Sequence, residues 1–177
     1  MSTQASSTVS PTPAKAAMME GIDQAWPVLE AAIRDIDEET FTTTGPDGWS
    51  VKDHLAHLEV WERYLLAVLE RRSPSSAIGI DLDTIRTTDD DTLNALLVAP
   101  TRAQSADQVL AALRDTHVRL RAVIAALPDG DLERLVAGYQ PDELGDDTGT
   151  ITAWITHICD EHLRDHTGWI QELNART

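Results

Sequence analysis

Cysteine is all but missing from this chain: Cys159 stands alone in 177 residues, which excludes an internal disulfide and makes a reducing cytoplasm the expected setting. Aromatic side chains are scarce as well, with five Trp, two Tyr and one Phe, so most of the 42% hydrophobic content available to fill a core is aliphatic. Basic residues are few. Fourteen Lys and Arg against thirty Asp and Glu leave a formal charge of -16 and an isoelectric point near 4.5. A phosphate backbone would be repelled, so nucleic acid is not an expected partner, and the same charge discourages docking on an anionic membrane. No apolar run approaches the roughly 20 residues of a membrane span. The N-terminus also lacks the charged, apolar and small-residue order of a secretory signal. No segment alternates as a strand does, and no internal repeat suggests a solenoid.

What is present is helical periodicity. After "MSTQASSTVSPTPAK", a small, polar stretch read as a loose tail over residues 1–15, residues 16–177 are expected to form one domain. A first helix is predicted from about 15 to 39 on the stripe Met18, Ile22, Val28, Leu29, Ala32, Ile33 and Ile36, bent or interrupted by Pro27. "TGPDGWS" stops and restarts the chain, and Ser50 with Asp53 forms a capping-box pattern opening a second helix over about 50–71. Residues 72–104 read as a long crossover holding one helical turn or two. A third helix begins at Ser105, again with a box partner at Gln108, and ends at "PDGD"; Thr150 caps a last helix reaching about 173. The expected class is all-α, a four-helix bundle with a long crossover between its second and third helices.

Six histidines remain to be explained, and two of them, His162 and His166, are four residues apart on the last helix. On an ideal wheel Ile151, Ile155, Ile158, His166, Trp169 and Leu173 all fall within roughly 40° of His162, placing both rings in the core stripe. His157 points about 140° away and reads as a flank or surface residue. A buried imidazole without a partner costs on the order of 1 to 3 kcal/mol, so each ring needs one. A pair at this spacing is also the geometry by which two neutral imidazoles reach one divalent metal. Glutamate does not follow the first histidine, where Leu163 stands, so the zincin motif is excluded. For a third ligand "DHLAHLEVWE" offers His54, which periodicity favours, and His57, on the flank about 60° away, where it can still face a site between helices. Alone on the third helix, His117 reads as a bonded core or boundary histidine. "TTDDD" lacks the glycine and distal glutamate of a calcium loop.

"GWSVKDHLAHLEVW" resembles the second-helix motif of the DinB/YfiT-like superfamily, metalloenzyme-type bundles of up-down-down-up topology. In that family a histidine eight residues after the tryptophan and an H-x-x-x-H pair on the last helix bind the metal. The resemblance therefore implies His57, His162 and His166 as ligands. "DTLNALLVA", "ADQVLAALRDTHVRLRAVIAALPDGDL" and "CDEHLRDHTGWI" are further similar to the ClbS/DfsB branch, in which Asn94 matches an asparagine, over about residues 20–173. Bundles of this superfamily often pair, which leaves a homodimer open.

Three imidazoles leave a divalent ion (Ni, Zn, Fe or Mn) with open positions, the arrangement that activates a water or a thiol. The resemblance implies a thiol transferase or hydrolase acting on a small electrophilic molecule, in the manner of self-protection proteins. Glu62, a little over one turn beyond His57, is the candidate general base; it also reads as a partner orienting a ligand ring or as a salt-bridged flank residue. The competing expectation is a metal-free bundle that binds or sequesters a small molecule. Ligating rings must be neutral, so with free-imidazole pKa values of about 6.5 metal release is expected below that pH.

Overall fold

The computed structural model describes residues 11–46 and 48–176; the first ten residues of the expected tail lie outside that range. Every regular element among the described residues is helical, and the one β-bridge joins Leu135 to Thr150. Helix α1 spans Pro13–Ile33, opened by Thr12, whose hydroxyl accepts from the amide of Lys15. The helix runs through Pro27 without a break. Pro27 sits on the exposed face, as does Asp23, whose carbonyl loses its helical partner there. The helix stops earlier than periodicity predicts, because Asp37 accepts from the amide of Thr40 at 2.7 Å and caps a separate helix, α2 (Glu38–Thr42).

The second predicted helix is α3 (Val51–Leu69), and its capping box is formed as expected. The Asp53 amide donates to Ser50 Oγ at 3.2 Å, and the Ser50 amide donates to Asp53 Oδ2 at 3.0 Å. Gly48, at φ +87°, supplies the left-handed turn that reverses the chain just before it. Of the nineteen residues of α3, fifteen are buried, so this helix has no solvent face and is the centre of the molecule. It packs on α7 (below), on the last helix and on the crossover.

The crossover is richer in helix than expected. It folds as α4 (Pro74–Ile78), α5 (Leu82–Thr87) and α6 (Asp90–Val98), capped in turn by Ser73, Asp81 and Asp89. Leu93 and Leu97 of α6 pack on Val60 of α3, closing the side that the long helices leave open. Helix α7 (Ala106–Ala126) opens with the expected Ser105–Gln108 box. Bidentate pairs from Arg114 to Glu30 and from Arg121 to Asp23 tie it to α1. Lys15, buried on α1, donates to the carbonyls of Ala125 and Leu127 at the carboxyl end of α7, where the helix dipole favours a cation. Two single turns, α8 (Asp129–Leu132) and α9 (Pro141–Leu144), fill the next loop.

The last predicted helix is built in three parts: α10 (Ile151–Thr156), a π-helical turn (His157–Glu161) and α11 (His162–Asn174). The π turn takes up one extra residue, so the ideal wheel slips by about 100° beyond it. Ile151 and Ile155 face the core before the turn and Ile158 within it, but Leu163, Thr167 and Ile170 do so after it. Trp169, predicted to lie in the stripe, is 46% exposed. His162 moves to the stripe's edge and is half-buried.

The apolar core falls into two clusters along the long helices. Leu29, Leu55, Leu58, Leu113, Leu163 and Ile170 belong to one; Ile22, Leu65, Leu120, Ile124, Ile155 and Ile158 belong to the other. Polar residues lie between them in sequence, and they include the groups described next.

Candidate metal centre

Helices α3 and α11 bring four histidines together. His57, His162 and His166 each offer a ring nitrogen, and the three nitrogens lie within 4.8 Å of one another. His57 Nε2 approaches His162 Nε2 at 3.0 Å, and His54 Nδ1 approaches His166 Nδ1 at 2.9 Å; in each contact one nitrogen donates and the other accepts. His54 thus stands behind His166, outside the trio but bonded to it. That contact directs the remaining nitrogen of His166 elsewhere and holds its ring orientation. Both alternatives left open by the wheel are therefore present in the cluster, in different positions.

Burial sets the charge state of these rings. It is the largest cause lowering His57 to about 3, reinforced by the neighbouring His162 and His54. His162 is lowered to about 4 by burial and by His157, against the opposite pull of Asp165. His166 is pushed down in the same direction, by burial first and then by the other three rings. Burial thus favours the neutral form of all three rings at pH 7, the state a metal ligand requires. His57 Nδ1 is buried without a hydrogen-bond partner. The donor set, all imidazole and drawn from two helices, fits a first-row divalent ion.

Indole rings wall the cluster. Trp49 lies 5.2 Å from both His54 and His57 between ring centres, and Trp169 lies 4.7 Å from His166. On the other side a cleft of about 340 Å³ opens beside His57 and His162, bordered by Trp61, Trp154, Asp90 and Asn94. His157, expected on the surface, is exposed there, borders the cleft and stacks 6.0 Å from His162.

Glu62 does not border that cleft. It is 1% exposed, and its Oε1 meets His117 Nδ1 of α7 at 2.7 Å, while Trp26 of α1 stacks flat on His117 at 3.8 Å. Burial raises the carboxyl above its ordinary range, opposed by His117, and Oε2 has no partner. His117, read as a bonded core or boundary histidine, is a bonded core one. Cys159, next along the core, is a buried thiol raised well above its usual range by burial.

Three features escaped sequence reasoning. His54 as a partner of His166 depends on the contact between two helices, for which a single chain carries no mark. The Glu62–His117–Trp26 stack needs three helices at once. The π turn did leave a signal: a spacing of five between Ile158 and Leu163, where a regular stripe has three or four.

These features define a class: an all-helical protein whose central helix and last helix supply a histidine trio at the edge of a cleft. The chain belongs to the DinB superfamily, whose family model matches residues 22–170. In fold it is similar to an uncharacterised protein from Escherichia coli UTI89, with a TM-score of 0.69 and 17% identity over 92% of this chain and 93% of that one. A protein from Streptococcus pneumoniae is similar at a TM-score of 0.67 and 13% identity, covering 95% of this chain and 94% of its own. At such identities the likeness speaks for the fold alone. No curated protein matches the chain. Among the described residues no helix is long and apolar enough to cross a membrane.

Proposed function

We propose that the chain is a metal-dependent enzyme of the thiol-transferase or hydrolase class, acting on a small electrophilic molecule, with His57, His162 and His166 as ligands. The observation that carries this reading is the convergence of three neutral imidazoles from two helices beside a cleft of substrate size. The rings of His57, His162 and His166 would hold a divalent ion (Ni, Zn, Fe or Mn), which would supply the acidification of a water or thiol. The chain's own part is to orient and enclose: His54 steadies His166, and Trp49 and Trp169 keep water from the rings. Glu62 enters as the proposed proton acceptor on the strength of its raised carboxyl and its unpartnered Oε2, although it lies in the core against His117 and does not border the cleft.

The narrower assignment to the ClbS/DfsB branch, and with it cytoplasmic detoxification, belongs to the same proposal. Its support is the branch-type asparagine, Asn94, at the cleft. An up-down-down-up course for the four long helical segments is also proposed, supported by the long crossover between α3 and α7.

Protein purified without a chelating tag is expected to carry a stoichiometric first-row metal by elemental mass spectrometry. His57→Ala, His162→Ala and His166→Ala should each weaken that binding by ~100-fold or more. Glu62→Gln should retain the metal and lose turnover. Wild-type protein that takes up no zinc, nickel, iron or manganese at pH 7.5 would overturn the reading. A metal-free binding protein would then stand, and one observation already favours it: the rings pair with each other, which satisfies them in the core without an ion.

A further inference from the structure

The cleft beside the histidines has a chemistry of its own. Asp90 and Asn94 are four residues apart on α6, one turn of the same face, and both border it. Neither side chain bonds to any other group among the described residues. Trp61 and Trp154, both half-buried, border the cleft as well and are linked through Tyr64, whose ring lies 5.5 Å from Trp61 and 6.0 Å from Trp154. Leu93 and Ile158 complete the apolar wall. No lysine or arginine lines the cleft. Asp89, Asp90 and Asp91 follow one another at the start of α6, and three carboxylates outweigh the half-charge of the helix's amino end.

We infer that this cleft binds an organic ammonium: a small molecule whose protonated amine lies between the Asp90 carboxylate and the indole faces of Trp61 and Trp154. An ammonium there gains a charge-assisted hydrogen bond from the carboxylate and the attraction of two ring faces. The Asn94 carboxamide both donates and accepts, so it reads an amide or hydroxyl on the same molecule. About 340 Å³ is the lower range of small-molecule sites, enough for an aromatic amine and too little for a macromolecular segment. The far end of such a ligand reaches His57 and His162; that it reacts there rests on the metal-dependent reading, whereas the ammonium preference does not.

The test uses metal-free full-length protein and two probes with the same ring, phenethylamine and phenylacetate. Binding is followed by calorimetry and located by the shifts of the Asn94 amide and the Trp61 and Trp154 indole N–H signals in NMR. Phenethylamine is expected to bind about fivefold or more tightly than phenylacetate, with the gap narrowing as salt is raised. Asp90→Asn, a substitution at an exposed position, should erase most of that gap without weakening phenylacetate. Trp61→Leu should weaken both probes. Equal affinities, a preference for the anion, no binding of phenethylamine, or a preference that survives Asp90→Asn would each overturn the inference. Metal uptake, measured separately, bears only on the metal: an ammonium preference in protein that takes up none of zinc, nickel, iron and manganese upholds the cleft and sinks the metalloenzyme.

Discussion

His54 and His57 are three residues apart on one helix and face different partners, which separates what each should do when replaced. His57 meets His162 with its Nε2, while His54 meets His166 through the Nδ1 atoms of both rings. His54→Leu is therefore expected to fold and to bind metal about 10-fold more weakly, as loss of an orienting partner does, against the far larger loss from His57→Ala. Isothermal titration of the two variants with zinc checks the ranking; equal losses would mean that His54 is itself a ligand. Glu62 is different in kind. With its carboxylate bonded to His117 inside the core, Glu62→Ala strands a buried imidazole and should cost about 3 kcal/mol in denaturant unfolding. Replacing both partners, as Glu62→Leu with His117→Phe, should cost less than Glu62→Ala alone, because no polar group is then left unpaired.

At the level of elements, the π turn reconciles two halves of a helix whose apolar residues are out of phase by one position. Deleting Glu161, which is exposed and bonded only to His157, removes that extra residue and lets a regular helix carry Ile158, Leu163 and Ile170 on one face. The variant should fold with its helical circular dichroism intact and its thermal midpoint lowered by only a few degrees. Deleting Asp165 instead leaves the π turn in place and turns Ile170 off the core, a loss of about 2 kcal/mol or more. Helix boundaries show the same logic on a smaller scale. Both capping boxes were legible, since each is a local pattern of four residues. The break after Ile33 was not, because Ile36 continues the apolar spacing and conceals the Asp37 cap.

For the molecule as a whole, the clustered histidines couple stability to pH. Unfolded imidazoles take up protons near pH 6.5, whereas burial lowers His57 to about 3 and His162 to about 4 and pushes His166 down as well. Between about pH 4 and 6.5 the unfolded chain thus binds more protons than the native one. Stability is full above 6.5 and falls as the pH drops toward 4, by on the order of 2 kcal/mol per ring at pH 5. Thermal unfolding of metal-free protein should show a midpoint that declines steeply from pH 7.5 to 5, and His162→Ala should flatten the decline. The same shifts move metal release downward: an ion bound at pH 7 should still be held at pH 5.5 and be lost toward pH 4, below the 6.5 that free imidazoles suggest. Dialysis against a pH series, with metal counted in the retained protein, measures this.

Helical class, the places where the long helices begin, the acidic character and the residue types of the trio all follow from local patterns: apolar period, capping residues and spacing within one chain segment. The crossover's three short helices were harder to see, since none is long enough for its period to show. Contact between helices settled the rest. Two histidines of α3 meet two of α11 in separate pairs, Glu62 turns to α7, and α6 carries Asp90 and Asn94 over the rings. Each of these depends on the rotation of one helix against another, which the packing of both determines and neither sequence segment contains.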